Sequence, residues 1–293
     1  MRDPNIYERV DWKHFLAGSF AAAMATVTMH PLDVLKARAQ VGYLEKDGKF
    51  EKYIKNIRYI WRTQGFIGFY KGLTPNVIGH ALAWGISMHF FHTSRQTFLL
   101  NTGSDKVPLS ADFVFATIAT MIVAVGLNPI WVVKLKMSTN KPGGIYTGVF
   151  KTIFAVYKKS GICGFYSGVT FGILASVHSG LLLTFYEHAK VLLQYLSGTE
   201  ELTGGQNVIA STVSKCMACV ITYPFQMMKS RVQHRRGMNT PQSHKEIFKD
   251  VWGTGRVFSF YRGIFSSTWR LLPALCLNLY LFEEFRKKIG RSY

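Results

Sequence analysis

Three short segments repeat one arrangement of a proline, an acid or its replacement, and two bases. In HPLDVLKAR these residues are Pro31, Asp33, Lys36 and Arg38; in NPIWVVKLK, Pro129, Trp131, Lys134 and Lys136; in YPFQMMKSR, Pro224, Gln226, Lys229 and Arg231. Two further cations, Lys215 and Arg270, interrupt otherwise uncharged apolar stretches. Each costs at least ~2.5 kcal/mol at a bilayer centre unless it faces water or a partner, so both point to a polar cavity. A guanidinium such as Arg270 can grip a carboxylate or phosphate through two parallel hydrogen bonds. The chemistry on offer is therefore ion pairing and anion binding. Bond-making has no support: the chain shows no nucleophile–base set, no metal cluster and no phosphate-cradling loop, so no catalytic residue and no metal ligand is expected. Cys216 and Cys219 form C-x-x-C, but inside an apolar helix and with no second ligand pair they read as packing residues.

The elements that must carry these residues follow from where charge is missing. Residues 14–32, 73–94, 113–133 and 167–186 lack Asp, Glu, Lys and Arg, and each approaches the ~20 residues that a spanning helix needs. Stretches at about 206–228 and 264–282 differ only by Lys215 and Arg270. Six spans result. The prolines of the three motifs stand 98 and 95 residues apart, and a second motif keeps step: GFYKG ends at Gly72, GFYSG at Gly168 and SFYRG at Gly263, spaced 96 and 95. Two markers with one period mean an internal threefold repeat. Each unit reads as a spanning helix with a proline kink, a polar loop, a short amphipathic helix ending near Gly65, Gly161 or Gly255, and a second spanning helix. The expected architecture is an all-α membrane protein, one domain over residues 1–293 with repeats at about 10–103, 104–201 and 202–293.

The chain carries a net charge of +19, and eighteen of those charges fall in segments 36–71, 134–168 and 229–263. One-sided basic loops orient a membrane protein: they face the matrix or its equivalent, with both termini opposite. The same basic charge would also suit a nucleic-acid binder, but the uncharged spans argue against one and no nucleic-acid partner is expected. A basic face with helices starting near Gly72, Gly148, Gly168 and Gly263 suits an anionic lipid, and cardiolipin is the expected bound lipid. No other cofactor is expected.

The pattern P-x-[DE]-x-x-[KR]-x-[KR], followed by a loop, a glycine and an aromatic-[KR]-G, resembles the repeat of the mitochondrial carrier family along nearly the whole chain. The resemblance implies six transmembrane helices in three pseudo-symmetric repeats with short matrix-side amphipathic helices, alternating access by threefold rocking, and residence as a multi-pass monomer in the mitochondrial inner membrane. It implies a matrix gate of Asp33, Lys36, Trp131, Lys134, Gln226 and Lys229, in which Asp33 pairs with Lys134, Trp131 stands in the acidic place opposite Lys229 and Gln226 in that opposite Lys36. Trp131 could give Lys229 a cation–π contact, and Gln226 could still accept a hydrogen bond. On the other side the aromatic-acid-x-x-base pattern implies a cytoplasmic gate of His92 with Arg95, Glu187 with Lys190 and Glu283 with Arg286; His92 replaces an acid. The family's contact points fall on Gly79 with His80, on Ala175 with Ser176 (or Leu174 with Ala175, because helix four is one residue shorter there), and on Arg270. Lys215 and Trp84 join them as candidate substrate contacts. The segments GLTPNVIGHALAWG, NPIWVVK and TVSKCMACVITYPFQ resemble the folate/FAD branch, whose relatives include NAD and pyrimidine-nucleotide carriers. The expected function is transport of an anionic, ring-bearing metabolite of the FAD or folate kind. The alternatives are an NAD or pyrimidine-nucleotide carrier, or a membrane tether of the same fold that no longer transports.

Overall fold

In hydrocarbon a backbone N–H or C=O must find its partner inside the protein, which restricts spanning segments of this composition to helices. The structure, a computed structural model, describes residues 12–41, 49–198, 202–235, 244–261 and 264. Among the described residues every regular element is helical and none is a strand. The first repeat holds α1 (Trp12–Gln40), α2 (Lys49–Gln64), a 3-10 turn (Phe66–Tyr70) and α3 (Leu73–Thr102). The second holds α4 (Leu109–Gly126), α5 (Asn128–Ser138), α6 (Val149–Phe165), α7 (Val169–Ala175) and α8 (Val177–Ser197). The third holds α9 (Gly204–Arg235) and α10 (His244–Ser259). Of the expected sixth span only Ile264 is described, and Arg270, Glu283 and Arg286 lie outside the described residues.

Among the described residues, three helical stretches are long and apolar enough to cross a membrane: Leu109–Gly126, Val169–Ser197 and Gly204–Arg235. α3 spans a full 30 residues but carries His80, Ser87, His89 and His92 along its length, which lowers its hydropathy. The prolines act unequally. α1 and α9 continue through Pro31 and Pro224 as single helices, whereas the second repeat breaks at Leu127 (φ −98°, ψ 8°), so that Asn128 and Pro129 open a separate helix. Asn128, the first residue of the new helix, is anchored by its own side chain, whose Nδ2 donates to the carbonyls of Phe165 (2.7 Å) and Ser167 (3.2 Å). The second break falls at Ser176, between α7 and α8.

Contacts within each repeat explain why its two motifs share a period. The residue before the proline reaches the residue before the motif glycine: His30 Nε2 lies 3.2 Å from the Lys71 carbonyl, and Asn128 reaches that of Ser167. In the third repeat Tyr223 stacks on Tyr261, with ring centroids 6.2 Å apart. The amphipathic helices seal the same level from outside. α2 buries Ile60 against Val34, Leu35 and Phe69, and α10 buries Ile247 and Val251 against Tyr223 and Met227. α6 was expected to end near Gly161; it turns there (φ 59°) and resumes as far as Phe165.

The glycines that close the second motif have two reasons to be glycine. Gly72 (φ 84°) and Gly168 (φ 71°) precede α3 and α7 in the left-handed conformation. A Cβ on Gly72 would stand 3.0 Å from the Lys134 carbonyl and 2.8 Å from Ser138 Oγ, and one on Gly168 would stand 3.0 Å from the Lys229 carbonyl. The two described even-numbered spans thus start pressed against the backbone of the next repeat's proline helix, at equivalent positions.

Candidate functional site

The proline helices end on the basic-loop side, where each leaves carbonyls without intrahelical partners and carries a partial negative charge. The second base of each motif serves the end of the next helix. Arg38 Nε donates to the Ser138 carbonyl (3.1 Å), Lys136 Nζ to the His234 carbonyl (2.6 Å) and Arg231 Nε to the Gln40 carbonyl (3.1 Å). Repeat one holds two, two holds three, and three holds one. The three cations are buried at 1%, 4% and 1% exposure, so bulk water offers the carbonyls no substitute for them. Gln40 braces the third junction further, donating to Tyr223 Oη (3.4 Å) and accepting from Ser230 Oγ (2.9 Å). This ring draws the three proline helices together at one end.

One turn further in lie the expected matrix-gate residues. Asp33 is buried and accepts from Asn76 Nδ2 (3.3 Å), which also approaches His30 Nδ1 (3.1 Å). Asn76 was absent from the sequence reading; a polar residue one turn into an even-numbered span, facing the motif acid, was the available signal. Lys134 Nζ lies 5.5 Å from the centre of the Trp131 ring. The tryptophan's cation is thus its own helix neighbour, and not Lys229 as expected. Lys229 instead extends along α7, where a Cβ on Gly172 would meet its Nζ at 3.1 Å. Gln226 donates to Thr222 Oγ1 (3.2 Å) on its own helix, a hydroxyl that also meets His178 Nδ1 (3.1 Å), while Lys36 is half-buried at the same level of α1.

Further along the spans is a cavity of about 660 Å³, within the size range of small-molecule sites. Four helices line it, each with one face. α3 gives His80, Trp84, Ser87, Met88 and Phe91; α4 gives Ala116, Ala119, Thr120 and Val123; α8 gives Ser179, Leu182, Leu183 and Tyr186; α9 gives Ser211 and Lys215. Of the expected contacts, the structure brings together His80, Trp84 and Lys215. Lys215 is the only Lys or Arg among the described lining residues, and Trp84 is 60% exposed. Gly79 is not on this wall: it is buried behind it against Trp131 and Ile130. Ser176 is also buried and hydrogen-bonds within its own helix (Oγ to the Gly172 carbonyl, 3.0 Å), while its carbonyl accepts from the lining residue Thr120 (3.1 Å). Ala175 is half-buried beside it. The hydroxyls of Ser87, Ser179 and Ser211 were missed by the sequence reading. The helical spacing 80, 84, 87, 91 on α3 and 179, 182, 183, 186 on α8 carried the signal for them.

At the opposite end from the ring, Arg95 Nε pairs with Asp112 (3.2 Å) at the start of α4, and the guanidinium lies 5.6 Å from the Phe91 ring centre. His92 is exposed, and Glu187 and Lys190 are half-buried on α8. Asp112 had no place in the sequence reading.

The profile of the family described as mitochondrial carrier protein matches residues 8–102, 105–197 and 200–293. A chloroplastic folate transporter of Arabidopsis thaliana is 26% identical over 94% of this chain and 95% of its own length. A mitochondrial nicotinamide adenine dinucleotide transporter of the same plant is 26% identical over 91% of this chain and 77% of its own. A mitochondrial FAD carrier of Saccharomyces cerevisiae is 23% identical over 94% of this chain and 97% of its own.

Proposed function

Because this chain belongs to the mitochondrial carrier family, matched in all three repeats, we propose that it carries an anionic metabolite with a fused aromatic ring system, of the FAD or folate kind. The observation that supports this reading is the cavity, where the ammonium of Lys215 shares one space of about 660 Å³ with Trp84, Phe91 and Tyr186. A half-buried cation among apolar walls is stabilised by a counter-charge, so the site favours a bound anion. The aromatic faces favour a flat ring over a small dicarboxylate. Arg270 supplies the second positive charge and Arg38, Lys136 and Arg231 hold the exit closed while the substrate enters. An NAD or pyrimidine-nucleotide substrate is the second reading, favoured by the NAD transporter among the relatives. The site of action is the mitochondrial inner membrane, where the basic loops face the matrix, cardiolipin binds the basic face and the chain works as a monomer.

Uptake by proteoliposomes tests the reading. FAD or folate is expected to accumulate or to inhibit accumulation of the other. If malate or phosphate enters readily while flavins, folates and nicotinamide dinucleotides neither enter nor inhibit, the substrate class is wrong. If no solute of the panel enters through folded protein, the transport reading gives way to that of a membrane tether.

A further inference from the structure

The acidic place of the second motif holds Trp131, half-buried and packed beside the cavity. The edge of the ring reaches α3, where a Cβ on Gly79 would stand 3.1 Å from Trp131 Cη2, 3.3 Å from Cζ3 and 3.1 Å from Cγ2 of the neighbouring Ile130. The His80 ring meets it edge-on, with centroids 5.2 Å apart, and the Lys134 ammonium lies 5.5 Å from its centre. Trp131 is absent from the described residues lining the cavity, although its partner His80 is among them. The third motif has Gln226 at this place, and the corresponding α7 position in register with it is Ala175, not glycine. Ring and hole occur together, at the junction of the first and second repeats.

We propose that Trp131 is a steric latch of the closed gate, with Gly79 as the recess that receives it and His80 as the link to the substrate cavity. The recess suits an unsubstituted Cα, because a methyl group there would force the ring to give way by a few tenths of an ångström. Where an ion pair would release as two charges separate, this junction releases only when the ring leaves its recess, and the nearest group that senses the cavity is His80. A substrate that draws His80 into the cavity removes one wall of the recess. The inference rests on the transport reading for its purpose, although the packing it describes does not depend on any particular substrate.

A pair of glycines in one helix makes the test. Gly79 and Gly85 both lie within α3, and a Cβ at Gly85 would meet nothing within 4 Å. Alanine at either position gains helix propensity. In the purified full-length carrier, Gly85→Ala is expected to hold or raise the melting midpoint, and Gly79→Ala to lower it by roughly 2–4 °C. Adding Trp131→Phe, whose smaller ring clears the methyl group, is expected to recover part of the Gly79→Ala loss, the remainder belonging to the contact with Ile130. Additive losses in the double variant, or equal responses of the two glycines, would overturn the latch. These melting measurements need no transport, so they decide the packing even if the substrate class fails. In proteoliposomes that transport, Trp131→Phe is expected to change the maximal rate while leaving the half-saturating concentration in place. A change in half-saturation at constant maximal rate would make Trp131 a substrate contact and not a latch.

Discussion

At the scale of single residues, the cavity gives two of the expected contacts separable tasks. Lys215 contributes charge from α9 and Trp84 contributes a flat face from α3, and both open to the same space. A hydrogen bond to a charged group contributes about 1.5–3 kcal/mol, so Lys215→Ala is expected to raise the half-saturating concentration of the anion by about tenfold or more, and Lys215→Arg to recover most of it. Trp84→Ala is expected to weaken flavin and folate uptake while sparing a non-aromatic anion. Equal loss for both solutes would reduce Trp84 to a packing residue, and an unchanged half-saturation in Lys215→Ala would remove that lysine from the site. Lys215 and Trp84 could be read from the sequence because a lone charge and a large ring stand out in an apolar helix. Asn76, Asp112 and the serines could not, because a small polar side chain gains its meaning from the helix opposite. Asp112 shows the point: its partner Arg95 was expected beside His92 in the cytoplasmic gate, and a carboxylate at the start of α4 pairs with it.

At the scale of elements, the sequence exposed helix existence better than helix continuity. The uncharged stretches mark α4, α8 and α9 because about twenty apolar residues have few other stable fates. The three prolines looked equivalent, yet only the second opens a new helix, where Leu127 leaves the helical pattern and Asn128 donates to the carbonyls of Phe165 and Ser167. His30, the corresponding residue of the first repeat, makes its contact to Lys71 while staying within α1. The motif glycines were recognised by recurrence alone; their physical role needed the neighbouring repeat. Gly72→Ala and Gly168→Ala each force a side chain into left-handed backbone, at about 1–2 kcal/mol, and also push a methyl group toward a carbonyl that cannot move without its helix. Both variants are expected to melt below the parent, and by more than Gly85→Ala changes it in either direction. If Gly72→Ala behaved like Gly85→Ala, the close approach of α3 to α5 would not be a constraint on the fold.

At the scale of the whole molecule, the threefold sequence repeat becomes a closed cycle of obligations. Arg38, Lys136 and Arg231 occupy the same place in their motifs, and each satisfies the helix end of the following repeat, so the last bond returns to the first helix. A linear chain of caps would lose stability link by link. A closed ring behaves differently, because once one link is gone the two flanking helices separate and the remaining links are no longer held at bonding distance. Arg38→Ala and Arg231→Ala are each expected to cost about 1–3 kcal/mol, the desolvation left uncompensated when a buried carbonyl loses a charged donor. The double variant is expected to cost clearly less than the two losses added, a coupling that contacting sites show and independent ones do not. Melting of the four proteins of this cycle measures it, and strictly additive losses would mean three separate caps. The cations are buried, so raising salt from low to physiological strength is expected to leave the coupling nearly intact, unlike the more exposed pair of Arg235 with Asp250. In transport the same variants are expected to raise the rate of opening toward the basic loops, since the closed end is the state that the ring stabilises and the cavity beyond it remains built from α3, α4, α8 and α9.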